Sequence, residues 1–382
     1  MPIPFSLVLV AVEFSLTDPA DLWIAGGSLS LLCLTGFLAW RQQRRRQSPP
    51  APPDLATPIA GLSAEESATI ANYDATLGSQ PNDALTWYNR ATTLDRLGHH
   101  QESIASYDQA LRLKPDFYQA FNNKGSALDD LGQHPEAIQC YEQALALKPD
   151  FFEARFNQAN SFRSMGRHQE ALRAYEQALV ITPDSPEAWF ALGTLFALLQ
   201  RYASALNSFE KALAINAVDP TIWYHRALAL SKLERFADAL DSYARALALQ
   251  PQDPQMWANH GITYYRLQQP MEAVNSFDRS LQLQPNQPQI WVYRGLALSS
   301  MGLHELALAS HDQAIAQQPD YAEAYYHRAC CHAQQGRVNP MIANLEQAFA
   351  CDRTRFQPLA MRDPVFQPFR HIPQFQVLMQ GF

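Results

Sequence analysis

One feature dominates the sequence, a repeat with a period of about 34 residues that constrains the fold more than any local propensity. Eight units follow one another from residue 84 to residue 355 without an insertion. They cover residues 84–117, 118–151, 152–185, 186–219, 220–253, 254–287, 288–321 and 322–355. Self-similarity of this kind indicates a repeat architecture, in which each unit buries its apolar face against its neighbours.

Large and small residues alternate within each unit in a pattern that predicts two packed helices. Large residues fill position 4: Trp87, Phe121, Arg155, Trp189, Trp223, Trp257, Trp291 and Tyr325. Position 24 holds Tyr107, Tyr141, Tyr175, Phe209, Tyr243, Phe277, His311 and Leu345. Positions 8, 20 and 27 are alanine, glycine or serine in all but one case. Small residues let two helix backbones approach while the large ones fill the space between them.

Glycine and proline mark the ends of these two helices. Proline recurs at position 32 in six units, where a helix could not continue without losing a hydrogen bond. Glycine stands at position 15 in five units and supplies the left-handed residue that ends the first helix. Gln200, Glu234 and Gln268 replace this glycine in units four to six, at about 1 kcal/mol each if the geometry is kept.

This pattern resembles the tetratricopeptide repeat family over residues 84–355. The resemblance implies an all-α fold, a right-handed α-solenoid of eight helical hairpins. Tyr73 and Pro81 fall at positions 24 and 32 of the same frame, so residues 62–83 are predicted to form an N-terminal capping helix. Residues 356–382 are predicted to cap the other end through Phe366 and Phe375. The alternative for this segment is an exposed aromatic tail that binds a partner.

The N-terminal region predicts a membrane anchor. Leu22–Trp40 is a run without a charge, and as a helix it would span about 28 Å, close to the thickness of a bilayer core. Arg41 and residues 44–46 follow it, which predicts that residues 1–21 lie outside and the repeats lie in the cytoplasm. Residues 41–61 read as a basic, proline-rich linker. A cleaved signal peptide is disfavoured, because the basic residues follow the apolar run.

Composition and motifs exclude several classes of function. The net charge is −8, and an acidic chain is a poor match for nucleic acid. No phosphate loop, nucleophile elbow or spaced cysteine pair occurs, so neither a cofactor nor an enzymatic activity is predicted. His327 and Cys331 share a helical face, but two ligands do not make a zinc site, and no metal is predicted. Gly26 and Ser30 permit helix self-association, so a homo-oligomer is possible but unsupported.

The resemblance also implies a binding surface, because in this family the first helix of each hairpin lines a concave groove. Aromatic and asparagine side chains at positions 5, 6 and 9 of those helices suit protein or peptide segments, since an amide can pair with both edges of a peptide bond. The candidate contact residues are Tyr88, Asn89, Asn122, Asn123, Phe156, Asn157, Asn160, Phe190, Tyr224, Asn259 and Tyr326. The alternative is that these side chains serve only packing between helices.

The predicted function is therefore a membrane-anchored scaffold that binds other proteins or peptides in the groove and assists recruitment or assembly at the membrane. The alternative is a receptor or chaperone that captures extended client segments for insertion or export. Position 5 carries no lysine, so the clamp for C-terminal carboxylates found in some relatives is not expected.

Overall fold

The computed structural model describes residues 61–380, together with Leu55 and Ile59. The predicted membrane span Leu22–Trp40, and nearly all of the linker behind it, lie outside the described residues. Within the described part of the chain, no helix combines the length and apolar character needed to cross a bilayer. The hairpins described below lie in the unit Ile70–Phe382.

The described residues form eight successive helical hairpins, preceded by α1 (Ala64–Ser79). The first helices of the hairpins are α2 (Ala84–Arg96), α4 (Tyr118–Asp130), α6 (Phe152–Ser164), α8 (Pro186–Leu198), α10 (Pro220–Lys232), α12 (Pro254–Arg266), α14 (Pro288–Ser300) and α16 (Ala322–Gln334). The second helices are α3 (His100–Leu113), α5 (His134–Leu147), α7 (His168–Ile181), α9 (Tyr202–Ile215), α11 (Phe236–Leu249), α13 (Pro270–Leu283), α15 (His304–Gln317) and α17 (Val338–Arg362). A 3-10 turn (Pro364–Phe369) and α18 (Pro373–Gln380) complete the described chain.

Where position 8 is glycine, in hairpins two, four, six and seven, the ring of position 24 packs directly against the backbone of that glycine. Tyr141 and Phe209 are almost fully buried, and a Cβ atom added to Gly125 or Gly193 would lie 2.5 or 2.6 Å from those rings. The small residue at position 8 is thus required by the ring opposite it. The all-α hairpin array predicted from the alternation of large and small residues is confirmed.

The first helices begin and end at specific chain signals. Asp219 and Asp253 cap α10 and α12 by accepting hydrogen bonds from backbone N–H groups of the first turn, and a proline follows each of them. At position 15 the backbone stays left-handed even without glycine, as shown by Gln200, Glu234 and Gln268 with φ of 58°, 60° and 61°. The conformation is kept because the next N–H bonds to a carbonyl near the end of the first helix, which completes the helix cap.

Successive hairpins are joined on the outside by a repeated polar contact, here called the outer ladder. A cation at position 7 pairs with an acid one repeat earlier, which is Asp74 of α1 for Arg90 and position 25 of the preceding hairpin in the other cases. Three of these cations, Arg90, Arg226 and Arg294, also donate to a serine at position 23 of their own hairpin. Arg226, for example, donates to Glu210 at 2.9 Å and to Ser242 at 2.6 Å. Ion pairs of the ladder are Arg90–Asp74, Lys124–Asp108, Arg226–Glu210, Arg294–Asp278 and Arg328–Asp312.

The C-terminal segment covers the last hairpin. Helix α17 bends at Asp352, where φ is −152° and ψ is 85°, and its final turns carry Phe356 back over α16. Phe356, Phe366 and Phe375 are almost fully buried in one cluster with Tyr326. The aromatic residues therefore close the open apolar face of the array and do not form an exposed tail.

One buried histidine makes the seventh hairpin sensitive to acid. His311 takes the place of the ring at position 24, is fully buried, and has no hydrogen-bond partner for either ring nitrogen among the described residues. Burial, with His327 and Arg328 nearby, lowers the pKa of His311 to about 3. In the unfolded chain the pKa is about 6.5, so the unfolded state takes up the proton first. Stability from this residue is complete above about pH 6.5 and is lost as the pH falls towards 3.

We expect His311→Phe to remove this part of the pH dependence. Between pH 6.5 and pH 5 the wild-type protein should lose about 2 kcal/mol through His311, at about 1.4 kcal/mol per pH unit. Phenylalanine fits because Phe209 and Phe277 already pack against glycine at position 8 in other hairpins. Urea unfolding of both proteins, followed by circular dichroism at the two pH values, measures the difference. An equal loss in the variant would show that His311 is not responsible.

Candidate functional site

The first helices form the inner face of the hairpin array. Helices α2 and α4, α4 and α6, α8 and α10, α10 and α12, α12 and α14, and α14 and α16 contact each other directly. Among the described residues, no pair of successive second helices makes a comparable contact. Because the first helices lie closer together, the array bends towards them, and their free side chains line the concave side.

Most of the predicted contact residues lie half-buried on this face. They are Tyr88, Asn89, Asn123, Phe156, Asn157, Asn160, Phe190, Tyr224 and Asn259. Half-burial leaves part of each side chain open to a ligand while its base is held by the helices. Asn122 and Tyr326, in contrast, are buried, so neither presents an accessible surface to a partner.

Tyr326 was predicted to contact a partner, but the C-terminal segment of the chain covers its side chain. Its hydroxyl donates a hydrogen bond to Asp363 at 2.7 Å, and its ring lies 5.2 Å from that of Phe356 and 5.9 Å from that of Phe366. The C-terminal segment thus occupies the position where a ligand would touch Tyr326. The inner face open to a partner ends before this residue.

The asparagines connect neighbouring hairpins. Asn157 donates to the side-chain oxygen of Asn122 at 3.1 Å, Asn122 donates to Asn123 at 3.0 Å, and Asn123 donates to the Tyr88 hydroxyl at 3.0 Å. The bonds from Asn157 and Asn123 each run from position 6 of one hairpin to position 5 of the preceding one. They therefore form a continuous inner ladder over hairpins one to three.

The same link recurs further along the array. Asn259 donates to the hydroxyl of Tyr224 at 2.9 Å, again from position 6 to position 5 of the preceding hairpin. Asn160 accepts a hydrogen bond from the hydroxyl of Tyr175 at 2.5 Å. These amides therefore take part in the contacts between helices, which was the alternative to a role in binding. Each amide still has further donor and acceptor capacity.

Aromatic side chains at position 5 pack against the rings at position 24 of the same hairpin. Phe190 lies 5.9 Å from Phe209, and Tyr224 lies 6.1 Å from Tyr243, measured between ring centres. Burial raises the pKa of Tyr224, so its hydroxyl stays protonated at neutral pH and remains a hydrogen-bond donor. Rings held in this way offer contact area with little entropy left to lose on binding.

Hairpins five to seven add apolar residues to the inner face that the candidate set does not include. Leu228, Ile262 and Leu296 occupy position 9, and each is half-buried on the inner face. His225 and Tyr293 stand beside them at position 6, and burial lowers the pKa of His225, so its ring is neutral at pH 7. In the repeat register these residues occupy the same positions as the candidate asparagines, so the sequence also indicates an inner face that is more apolar in its second half.

One group of potential metal ligands comes together among the described residues. In the part of the chain that is described, only Asp95, His100 and Asp130 bring three ligand atoms within 4.8 Å of one another. His100 Nδ1 lies 2.9 Å from Asp95, and the corresponding His134 lies 2.8 Å from Asp129 in the next hairpin. A contact that repeats in this way is a structural link between the two helices of a hairpin.

Stacked helical hairpins with a side-chain-lined inner face define a repeat protein of the solenoid class. Family models described as tetratricopeptide repeat match residues 70–116, 88–150, 122–186, 156–220, 220–253, 258–310 and 294–338. The chain therefore belongs to the tetratricopeptide repeat family. Proteins of this family generally act as protein-interaction scaffolds. No curated protein matches this sequence.

Several solved structures share the fold at low sequence identity. A tetratricopeptide repeat protein from Parabacteroides merdae is 18% identical, with a TM-score of 0.47 over 64% of this chain and 97% of its own. PilF of Pseudomonas aeruginosa is 19% identical, with a TM-score of 0.46 over 57% of this chain and 96% of its own. YrrB, described as having an unusual peptide-binding site, is 19% identical, with a TM-score of 0.44 over 50% and 98%. These likenesses concern the fold alone.

The inner ladder generates a stability prediction. Because Asn123 and Tyr88 bond across two hairpins, Asn123→Ala and Tyr88→Phe should each destabilise the protein by about 1 kcal/mol, and the double variant by less than the sum. Asn89→Ala is the matched control, since no side-chain bond joins Asn89 to another hairpin within the described residues, and it should change stability by less than about 0.5 kcal/mol. Urea unfolding of the four proteins gives the coupling energy, and strict additivity would contradict a direct bond.

Proposed function

We propose that this protein is a scaffold that holds a segment of a partner protein against the inner face of hairpins four to seven. The observation that carries the proposal is the track formed by Phe190, Tyr224, Leu228, Ile262 and Leu296. These side chains are half-buried on one continuous face and carry no charge. Removing the rest of their surface from water provides the driving force for docking.

Polar groups beside the track orient the bound segment. The amide of Asn259 and the hydroxyl of Tyr224 are already bonded to each other, which fixes their direction, and Asn259 keeps one N–H and its carbonyl oxygen for a peptide backbone. Pre-set polar groups beside an apolar track favour recognition of a particular segment over general adhesion.

We further propose that the scaffold acts at a membrane, anchored by Leu22–Trp40, with the hairpins on the cytoplasmic side. The support is the uncharged run of residues 22–40 and the arginines that follow it. A tethered scaffold would raise the local concentration of its partners at the bilayer and so assist recruitment or assembly.

Charge placed on the track should abolish partner capture. Leu228→Glu and Ile262→Glu would put a carboxylate where the partner buries apolar surface, and capture should fall at least about tenfold. Ala214→Glu is the control, since Ala214 is exposed on α9, away from the inner face. The measurement is affinity capture with quantitative mass spectrometry, normalised to the helical content of each variant.

The capture experiment also separates the two candidate functions. A few partners at fixed stoichiometry that the inner variants lose support the scaffold, whereas many unfolded clients would favour the receptor or chaperone. Capture that is unchanged by both inner variants would show that the partner does not use this face.

Deletion of residues 1–46 tests the anchor. The shortened protein should move from the membrane fraction to the soluble fraction, because it lacks both the apolar run and the arginines. Replacing residues 22–40 with an unrelated transmembrane segment should restore sedimentation with membranes. If the deleted protein still sediments with membranes after a carbonate wash, the proposed span is wrong.

A further inference from the structure

The outer ladder is interrupted between hairpins three and four. Position 7 of hairpin four is Leu192, where Arg226 stands in the next hairpin. The corresponding acid, Glu176, is exposed and has no ion-pair partner among the described residues. Hairpin three also lacks a cation at position 7, but there Arg167 and Arg155 act electrostatically on the equivalent Glu142. Glu176 has no such substitute within the described chain.

Hairpin six departs from the ladder in a different way. His260 holds position 7 and its ring nitrogen lies 3.1 Å from the hydroxyl of Ser276. Position 25 of the preceding hairpin is Ala244, so this position has no carboxylate that would need a cation. Leu192 is therefore the one position-7 residue of the eight hairpins that offers an acid of the outer ladder neither a cation nor a polar group.

A ladder arginine such as Arg226 donates both to an acid and to a serine, and the serine is also present in hairpin four. In the intact contacts the serine at position 23 donates to a carbonyl of its own helix and accepts from the guanidinium, as Ser242 does with Arg226 at 2.6 Å. Ser208 occupies this position in hairpin four, is only 3% exposed, and donates to the carbonyl of Ser204 at 3.1 Å. No cation of the described chain donates to Ser208, so its acceptor lone pair is unused.

A groove lies at this position on the outer surface. Its volume is about 410 Å³, and its walls come from α7, α8 and α9. The floor is apolar, formed by Leu179, Trp189, Leu192 and Phe196, and Val180 at the rim is 81% exposed. Ser204 and Asn207 of α9 add uncharged polar side chains to one wall. Lys211 of α9 lies over the ring of Trp189, with its Nζ 4.1 Å from the ring centre. It makes no ion pair with Glu176.

The groove one hairpin further on provides an internal comparison. It has nearly the same volume, about 430 Å³, but Arg226 occupies it, and its walls carry Arg235, Asp238 and Arg245. That groove is charged and satisfied by the chain itself. The groove beside Leu192 instead combines an apolar floor with one unpaired carboxylate and one unused serine oxygen.

We propose that this outer groove is a docking site for a partner protein segment that carries an arginine between apolar side chains. The incoming guanidinium takes the place of the missing rung, donating to Glu176 and to Ser208, as Arg226 does with Glu210 and Ser242. The flanking apolar side chains cover the floor of the groove. This site lies on the opposite face from the inner track and does not depend on it.

The test uses the full chain and a defined probe. The probe is a fluorescein-labelled nine-residue peptide with one central arginine flanked on each side by leucine and tryptophan, and its control has citrulline instead of arginine. Fluorescence anisotropy should show binding of the arginine peptide tighter than about 1 mM, with the citrulline peptide at least about tenfold weaker. No binding up to that concentration, or equal binding of the two peptides, would overturn the proposal.

Two variants locate the site. Leu192→Arg restores the missing rung from within the chain, and Arg90 shows that this position accepts a buried arginine. It should abolish peptide binding while circular dichroism and the melting temperature show a folded protein. Glu176→Gln changes only an exposed, unpaired carboxylate and should weaken binding about tenfold. Unchanged binding in Glu176→Gln would overturn the proposal even if Leu192→Arg did not fold.

A second copy of the chain is the competing occupant. Sedimentation velocity of the detergent-solubilised wild-type protein and of Leu192→Arg distinguishes the two cases. A dimer that the substitution dissociates would assign the groove to self-association and overturn the proposal, whereas an unchanged mass together with lost peptide binding supports it.

Discussion

The packing of the ring at position 24 against the backbone at position 8 is the interaction on which the rest of this structure depends. At Gly125 and Gly193 the ring approaches so closely that even a methyl group would overlap it. This contact sets the distance between the two helices of a hairpin, and it recurs at Gly261 and Gly295. In the hairpins with alanine at position 8, the side chain at position 24 is likewise almost fully buried. Hairpins built on this plan stack on one another, and the C-terminal phenylalanines cover the apolar face of the last one.

Two polar systems then fix how one hairpin sits on the next. On the outer side, arginines such as Arg226 and Arg294 connect an acid of the preceding hairpin to a serine of their own. On the inner side, Asn157, Asn123 and Asn259 reach back to position 5 of the preceding hairpin. Both systems act between units that share no continuous helix, and they restrict the relative rotation of hairpins more specifically than apolar contact alone.

These systems are unevenly distributed, and the two proposed binding surfaces follow from that. Asparagine bonds are continuous in hairpins one to three, while leucine and isoleucine take the open positions further along the inner face. The outer ladder is interrupted at Leu192, which leaves Glu176 and Ser208 without a cation from the described chain. A regular repeat thus acquires binding sites where its internal contacts are incomplete, because unpaired groups and open apolar surface are what a partner can satisfy.

The sequence by itself determined the hairpin array, because the large-small alternation, the glycine at position 15 and the proline at position 32 act within one unit. It also placed most of the candidate residues on the inner face. Tertiary structure decided which side chains are covered or bonded by other hairpins, because the repeat pattern describes one unit at a time. Tyr326 is covered by the C-terminal segment, and the asparagines are already bonded to a neighbouring hairpin. Glu176 and Ser208 belong to different hairpins, and only stacking brings them to the same groove, since their relation depends on contacts between units and not on any pattern within one.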